Sequence, residues 1–257
     1  MSRNFLALFK GDSGTGKSVG ALSFPNAYVF DFDRKMPNIF MKHFPGKQVA
    51  YDSFENIFDV SNKVASLAQD CPYETIIVDS FTALANLTIE SIGFVKGESV
   101  PEMLQKVQET RNKNKQLEMM PIDYYGGEDR FCTWFINQMK RLYSRQGNPK
   151  YVIVIAHVIS VDSAPDLKTK IITRTRSIVS KGRKVAAWLP TEFDDMYIFG
   201  FGQSNPFATG EESRPRRICI TESYGEDTAK CSLPLPMEID FTNGSLFEKI
   251  YPKLGGS

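Results

Sequence analysis

The sequence predicts an α/β fold with a mostly parallel central sheet, flanking helices and a C-terminal extension of antiparallel strands. Short apolar segments rich in Val, Ile, Phe and Tyr alternate with longer helix-like segments, which is typical of parallel strands connected by helices. The chain has 257 residues, of which 42% are hydrophobic, enough to build one large core. We therefore expect a single domain over residues 1–257.

Five segments are predicted as buried strands, because each is short and rich in β-branched or aromatic residues. They are residues 5–9, 27–31, 75–79, 151–156 and 196–199. Helices are predicted at residues 17–24, 54–69, 81–94 and 128–144. The first helix is short because Pro25 cannot continue it. From residue 218 onward we expect paired short strands and then a C-terminal tail over residues 241–257.

Composition narrows the class of protein. The 31 basic and 30 acidic residues nearly balance, so any contact with nucleic acid must come from local basic clusters. The four cysteines form no Cys-x-x-Cys pair, which favours free thiols in a reducing compartment, although Cys219 and Cys231 could face each other across a hairpin. The N-terminus leaves no room for a signal peptide, and the longest apolar segment is too short to cross a bilayer. We expect a cytoplasmic protein with no membrane partner.

The segment after the first predicted strand has the pattern of a phosphate-binding loop. It consists of Gly11, Asp12, Ser13, Gly14, Thr15, Gly16, Lys17 and Ser18. The glycines allow a backbone path that points successive amides at an anion. Lys17 supplies positive charge for the β- and γ-phosphates, Ser18 supplies a hydroxyl for Mg²⁺, and the following helix adds its N-terminal dipole. The sequence therefore predicts binding of ATP and Mg²⁺.

Polar residues at three predicted strand ends are candidates for the chemistry. Asp79 is predicted to hold Mg²⁺ together with Ser18, the alternative being a cap on the next helix. Asp33 is favoured as the residue that orients the attacking water, whereas Asp31 could be structural through an ion pair. His157 is either a reporter of the γ-phosphate or a buried core residue. The catalytic candidates are Lys17, Asp33, Asp79 and His157.

These strand ends resemble, in their order along the chain, the core of the RecA-like ATPases. Residues 77–84 are similar to the second nucleotide motif of that family, in which a serine follows the aspartate. Asp33 stands where those proteins carry a catalytic glutamate, and His157 where they carry a polar sensor, commonly glutamine. Over residues 4–240 the chain looks more specifically like the short RecA-like ATPases of bacteriophages, which are associated with single-strand annealing and recombination. The further segments that carry this likeness are YGGEDR (125–130), IAH (155–157), KGRK (181–184), LPTEFDD (189–195) and AK (229–230).

Residues 158–184, which we predict as a basic loop, have seven basic residues against two acidic ones. The basic residues are Lys168, Lys170, Arg174, Arg176, Lys181, Arg183 and Lys184. The resemblance implies that this loop contacts single-stranded DNA, and such side chains would bind the phosphate backbone in a salt-dependent way. A solvated loop without a partner is the alternative. Residues 95–121 are polar with balanced charges, and we expect a solvated or mobile insertion there.

RecA-like ATPases act between subunits, where a cation of one subunit reaches the γ-phosphate bound by its neighbour. The resemblance therefore implies a homo-oligomer, either a ring or a filament. Candidates for the trans-acting cation are Lys230, Arg216 and Arg217. Lys230 fits the resemblance best, and the two arginines could instead protect an edge strand from aggregation.

Three functions are compatible with this sequence, because the same core serves all of them. The first is a DNA-dependent ATPase of phage-type homologous recombination or annealing, acting on single-stranded DNA in the host cytoplasm, with a phage single-strand-binding or annealing protein as a further partner. The second is an ATP-driven replication or packaging motor, such as a helicase or helicase loader. The third is a nucleotide-gated module that binds another protein. The resemblance favours the first.

Overall fold

The computed structural model describes residues 4–91, 124–144, 147, 149–162, 174–180, 182–202, 215–223, 225 and 227–254. The strands are β1 (Phe5–Gly11), β2 (Ala27–Asp31), β3 (Ala50–Asp52), β4 (Thr75–Asp79), β5 (Tyr151–Asp162), β6 (Arg174–Ile178), β7 (Asp195–Gly202), β8 (Arg216–Ile220) and β9 (Glu238–Asp240). The helices are α1 (Lys17–Leu22), α2 (Met36–His43), α3 (Ile57–Gln69), α4 (Phe81–Ser91), α5 (Tyr124–Tyr143), α6 (Arg183–Trp188) and α7 (Leu246–Ile250). Short 3-10 turns follow α6 and α7, at Leu189–Glu192 and Tyr251–Leu254.

The strands form one sheet in the order β3-β2-β4-β5-β1-β7-β8-β9, and β6 pairs only with β5. All pairings from β3 to β7 are parallel, whereas β8 and β9 are added antiparallel. β1 lies between β5 and β7, and all of its residues are buried, so its first five residues are continuously apolar instead of alternating. The predicted fold class is confirmed: a mostly parallel sheet with flanking helices and antiparallel C-terminal strands.

Each face of the sheet is covered by a hydrophobic core. On one face, α3, α4 and α5 bury apolar side chains such as Val64, Leu84 and Phe135 against the sheet. On the other face, α1 and α7 do the same, with side chains such as Leu22 and Ile250. Because both faces are covered, the carboxyl edge of the parallel strands is where polar groups can gather.

β5 is longer than predicted and changes the picture of the basic segment. Its first part pairs with β1 and β4, but its last residues leave the central sheet and pair antiparallel with β6, from Val158 opposite Ile178 to Asp162 opposite Arg174. The expectation of a loop over residues 158–184 is therefore corrected, since 158–162 and 174–178 form a β-hairpin and α6 begins at 183. The apolar residues Ile159 and Val161 at the start of this segment already fit a strand.

The C-terminal segment also differs from the prediction. Instead of a tail, residues 246–254 form α7 and a 3-10 turn, and Leu246, Ile250 and Leu254 are buried in the core. The hydroxyl of Ser245 accepts a hydrogen bond from the backbone N–H of Glu248 and thereby caps α7. The three apolar residues recur at helical spacing, so the pattern was present in the sequence.

Three further predictions concern the insertion at 95–121, the cysteines and membrane-spanning helices. The predicted insertion at 95–121 lies outside the described residues. All four cysteines are free thiols; Cys132 and Cys219 are buried, and Cys71 and Cys231 are partly buried. None of the described helices combines the length and the apolar composition needed to cross a lipid bilayer.

One buried carboxylate connects α5 to the end of the hairpin. Glu128 on α5 is fully buried. It accepts hydrogen bonds from the Ser180 hydroxyl at 2.6 Å and from the Gly182 backbone N–H at 2.7 Å. A buried carboxylate requires such donors, so this contact holds the chain between β6 and α6 in place.

We expect Glu128→Ala to lower the free energy of unfolding by about 2–3 kcal/mol, because the substitution leaves the buried backbone N–H of Gly182 without an acceptor and removes one of the two acceptors near the Ser180 hydroxyl. Urea denaturation followed by circular dichroism would measure the loss. The matched control is Glu74→Ala, which removes only a partly exposed ion pair with Lys150 and should cost less than about 1 kcal/mol. Equal effects of the two substitutions would contradict the structural role of Glu128.

Candidate active site

The glycine-rich loop between β1 and α1 has a conformation that requires glycine. Gly11 and Gly16 have φ angles of 155° and 93°, values that residues with a side chain rarely adopt. A Cβ on Gly11 would overlap the backbone carbonyl oxygen of Phe199, and a Cβ on Gly16 would lie 3.0 Å from Cδ of Arg217. Both the backbone path and the close packing against β7 and β8 therefore depend on these two glycines.

Lys17 lies at the start of α1 and folds back over the loop. Its ammonium group donates hydrogen bonds to the backbone carbonyls of Gly11, at 2.9 Å, and Asp12, at 2.6 Å. Burial lowers the pKa of Lys17 to about 8, although the carboxylates of Asp79, Asp12 and Asp33 oppose the shift. The ammonium is thus still mostly protonated at neutral pH, and it supplies a positive charge inside the loop.

Ser18 and Asp79 meet beside the loop. Asp79 ends β4 and is nearly fully buried, and its carboxylate accepts a hydrogen bond from the Ser18 side chain. Burial raises the pKa of Asp79 to about 6; the carboxylates of Asp33 and Asp31 act in the same direction, and the Ser18 hydrogen bond opposes it. The two residues predicted to hold a metal ion are therefore in contact, and the carboxylate lacks a full countercharge.

Asp33 and His157 form a second pair at the same edge of the sheet. Backbone N–H groups of Phe32 and Asp33 donate to the carbonyl of Asp79, at 2.8 and 3.3 Å, which fixes the end of β2 against the end of β4. Nε2 of His157 lies 3.6 Å from Oδ2 of Asp33. Burial favours the neutral acid, but hydrogen bonding to His157 and the charge of Lys35 outweigh it, so the pKa of Asp33 is lowered.

Asp31 has a structural position. It is fully buried and accepts hydrogen bonds from the backbone N–H groups of Lys35, at 3.0 Å, and Met36, at 3.1 Å. These are donors at the beginning of α2 that have no partner within the helix. Asp31 therefore caps α2 through its carboxylate, whereas the sequence suggested a pairing with a neighbouring cation.

The residues present suit a triphosphate and Mg²⁺. A buried ammonium folded onto backbone carbonyls and a buried carboxylate with a raised pKa are both groups that an oppositely charged ligand would stabilise. The described residues contain no group of three or more His, Cys, Asp or Glu side chains that could hold a metal by themselves. Mg²⁺ commonly uses one or two protein oxygens together with substrate phosphates, and Ser18 and Asp79 fit that pattern.

An ion-pair network that the sequence did not indicate borders the loop. Arg176 on β6 contacts Oδ2 of Asp12 at 2.6 Å and Oδ2 of Asp227 at 2.7 Å. Lys10, buried at the end of β1, lies 3.2 Å from Oδ1 of Asp227. Binding of DNA phosphates, the role predicted for Arg176, stays a prediction; its side chain is 21% exposed and contacts two carboxylates. The sequence feature that could have indicated this network is Lys10, a charged residue at the end of an otherwise apolar strand.

The other predicted basic residues lie apart from the loop or outside the described residues. Arg174, at the far end of β6, is exposed and pairs with Asp162 at 2.7 Å. Lys184 is exposed on α6, and Arg183 is the first residue of that helix. Lys168, Lys170 and Lys181 lie outside the described residues.

The three candidates for a trans-acting cation have different surroundings. Lys230 is exposed, and its backbone pairs with Met196 on β7. Arg216 is about half exposed and lies near Glu238 and Asp240 on β9, at 3.5 and 3.4 Å. The side chain of Arg217 packs against Gly16 of its own chain, and its role as a trans-acting cation stays a prediction.

A cleft lies beside α1, and two of its lining residues, Arg217 and Phe241, are close to Gly16. Its volume is about 430 Å³, and it is lined by Val19, His43, Phe44, Arg217 and Phe241 among others. The cleft combines aromatic rings with a guanidinium group, a composition common in sites for ring-shaped organic ligands.

We expect Asp79→Asn to stabilise the nucleotide-free protein by about 1–3 kcal/mol at pH 8. Because the folded-state pKa of Asp79, about 6, lies above its ordinary value of 3.8, the folded protein holds the proton more tightly. Stability is therefore lost as the pH rises through 6, and the advantage of asparagine should vanish below about pH 4. Urea denaturation at several pH values would measure this, with exposed Asp70→Asn as control. A destabilised Asp79→Asn protein at pH 8 would contradict it.

Known proteins offer one family match and distant structural likenesses. A search of curated proteins found no matching sequence. Solved structures similar to this chain include the flagellar accessory protein FlaH from Methanocaldococcus jannaschii, with 12% sequence identity, 94% of this chain and 86% of that chain covered, and a TM-score of 0.37. A KaiC-like protein from Pyrococcus horikoshii OT3 is similar at 11% identity, with 92% and 89% coverage and a TM-score of 0.39. At such TM-scores neither likeness supports an inference about this chain.

Comparison of the sequence with models of protein families identifies the family of this chain. Residues 4–201 match the model of the family AAA_24, described as an AAA domain. This match covers well over half of the chain and includes the glycine-rich loop, Asp33, Asp79 and His157. The chain therefore belongs to this AAA domain family and is a P-loop ATPase.

Proposed function

We propose that this protein binds Mg²⁺ and ATP at the loop 11–18 and hydrolyses ATP in a reaction that single-stranded DNA stimulates. The observation that carries the nucleotide part is the contact between Ser18 and Asp79 beside the ammonium group of Lys17. These three groups provide the metal ligands and the positive charge that phosphoryl transfer requires. They come from two distant segments of the chain, which the fold brings together.

Within this proposal, Ser18 and Asp79 hold Mg²⁺, Asp79 either directly or through a bound water. When bound there, Mg²⁺ would neutralise negative charge on the phosphates. Lys17 exchanges its contacts with the carbonyls of Gly11 and Asp12 for contacts with the phosphates. Each exchange satisfies a buried charged group, so the cost of burying Lys17 and Asp79 in the nucleotide-free protein is offset by binding.

Asp33 is the residue proposed to orient the attacking water. Its lowered pKa keeps it ionised at neutral pH, so it can accept a hydrogen bond from a water molecule. Nε2 of His157, on β5, lies 3.6 Å from Oδ2 of Asp33. β5 continues from His157 into the hairpin. A change at the terminal phosphate would therefore reach the hairpin through Asp33 and His157.

The nucleoside is proposed to lie in the cleft next to Gly16. α1 follows the phosphate loop directly, and the cleft runs along α1 from Val19 to Ser23. Arg217 lines the cleft and is only partly buried, so its guanidinium group can stack on a base or contact a phosphate oxygen. Arg217 would then act within its own chain, and Lys230 and Arg216 remain the exposed candidates for a cation supplied to a neighbouring subunit.

Single-stranded DNA and self-association are the proposed partners. The resemblance to the RecA-like ATPases of bacteriophages supports both, and the basic residues of 158–184 support the first. Arg174 lies at the far end of the hairpin from the phosphate loop, where its exposed ion pair with Asp162 could be exchanged for a DNA phosphate at little cost. Lys168 and Lys170 lie between Asp162 and Arg174 in the sequence and add positive charge.

We expect Lys17→Ala to lower ATP turnover by more than about 100-fold, because the charge on the phosphates is no longer compensated. Release of inorganic phosphate would measure turnover, and calorimetric titration with Mg²⁺ and ATP would measure binding. The control is Lys63→Ala on α3, whose partner is Asp52 outside the site. Turnover in Lys17→Ala equal to that of the control would reject the proposed site.

We expect single-stranded DNA to raise ATP turnover, and DNA affinity to fall at least about tenfold between 50 and 200 mM salt. In Lys168→Ala/Lys170→Ala, the slope of log affinity against log salt concentration should fall by about two, one for each lost phosphate contact. The control has the same charge change at two exposed lysines outside the hairpin, Lys249→Ala/Lys253→Ala. Fluorescence anisotropy with a labelled oligonucleotide would measure binding. Absence of both binding and stimulation at low salt would reject the DNA role and leave the ATPase role standing.

A further inference from the structure

Arg176 joins the hairpin to the phosphate loop through two carboxylates. One of its terminal nitrogens lies 2.6 Å from Oδ2 of Asp12, the second residue of the loop. The other lies 2.7 Å from Oδ2 of Asp227. Burial disfavours the charged guanidinium, but its contacts with Asp12 and Asp227 outweigh that effect and raise the pKa of Arg176. The cation is therefore permanently present at the edge of the nucleotide site.

Asp227 is buried together with Lys10, and the two side chains carry opposite charges. The Asp227 side chain is 8% exposed, and that of Lys10, which contacts it at 3.2 Å, is 4% exposed. Two cations and two carboxylates thus form one chain of contacts from the end of β1, through Asp227 and Arg176, to the loop. A buried, paired charge has little freedom to move, so Asp227 and Lys10 fix the position of the guanidinium group.

The negative charge of the Asp12 carboxylate would disfavour phosphate binding if no cation neutralised it, and Arg176 is in contact with it. A negative charge on the second residue of a phosphate-binding loop repels the phosphates that the loop must bind. Lys17 contacts only the backbone carbonyl of Asp12 and leaves its carboxylate to another cation. Arg176 contacts that carboxylate directly, and the loop then presents no excess negative charge.

We propose that Arg176 is a positioning residue for the nucleotide, which neutralises Asp12 and holds the phosphate loop against β6. The inference rests on the proposed function, because it requires a triphosphate at residues 11–18. It also gives the hairpin a second connection to the site. His157 contacts Asp33 from β5, and Arg176, opposite Ser160 in the hairpin, contacts Asp12 from β6. Any ligand that shifts the hairpin must then change nucleotide affinity, and the reverse.

The test is a double-mutant cycle between Arg176 and Asp12, measured with a fluorescent ATP analogue and Mg²⁺. We expect Arg176→Ala to weaken nucleotide affinity about tenfold, because Asp12 is left uncompensated. Asp12→Asn should bind as tightly as the wild type or more tightly. Asp12→Asn/Arg176→Ala should return to within about threefold of Asp12→Asn. Exposed Arg141→Ala on α5 is the control for loss of an arginine.

A second readout needs no nucleotide. Hydrogen exchange of the nucleotide-free protein should be faster in the peptide that contains Asp12 to Thr15 in Arg176→Ala, and unchanged in Arg141→Ala. This measurement reports whether Arg176 holds the loop, and circular dichroism of each variant shows whether it is folded. Arg176→Lys, which can contact only one of the two carboxylates at a time, should give an intermediate result in both measurements.

The outcomes separate this inference from the proposed function. A wild-type chain that binds no nucleotide rejects the proposed function, and the exchange result still decides whether Arg176 holds the loop. Normal binding by Arg176→Ala rejects the inference and leaves the proposed function standing. A double variant as weak as Arg176→Ala also rejects it, because Arg176 then acts on the nucleotide directly and not through Asp12.

Discussion

The parallel register of β1 with β5, and of β2 with β4, is the constraint on which the rest of this structure depends. It aligns Gly11 with His157 in one pair and Asp31 with Asp79 in the other. Parallel strands end at the same edge of a sheet, so three polar side chains and the first glycine of the loop meet there although they are far apart in sequence. A shift of one residue in either pair would turn Asp79 or His157 to the opposite face.

The same edge of the sheet is where this protein buries charge. Lys17 and Asp79 are both removed from water, and their pKa values move toward the neutral forms, to about 8 and about 6. Such shifts are unfavourable for the folded protein by itself. They are favourable for a site whose ligand carries the complementary charges, and this explains why a core that could have been apolar retains them. Asp31, by contrast, is buried with donors of its own and serves α2.

The hairpin of β5 and β6 is attached to this edge at two positions. One attachment is the contact of His157 with Asp33, and the other is the contact of Arg176 with Asp12. The exit of the hairpin is held separately by Glu128 on α5. A segment fixed at its base by several charged contacts moves as a unit, which is a physical basis for communication between the nucleotide and the distal end of the hairpin.

Local patterns in the sequence determined the glycine-rich loop, the buried strands and the mostly parallel sheet, because glycine spacing and continuous apolar segments act over a few residues. The sequence also indicated that Asp79 ends a strand and could share Mg²⁺ with Ser18, but the contact between these two residues depends on the fold. Arg176 was predicted to contact DNA from its charge and from the family resemblance, and nothing near it in sequence indicates its contacts with Asp12 and Asp227. Contacts between distant segments depend on strand order and register, and those follow from packing of the whole chain, not from any one segment.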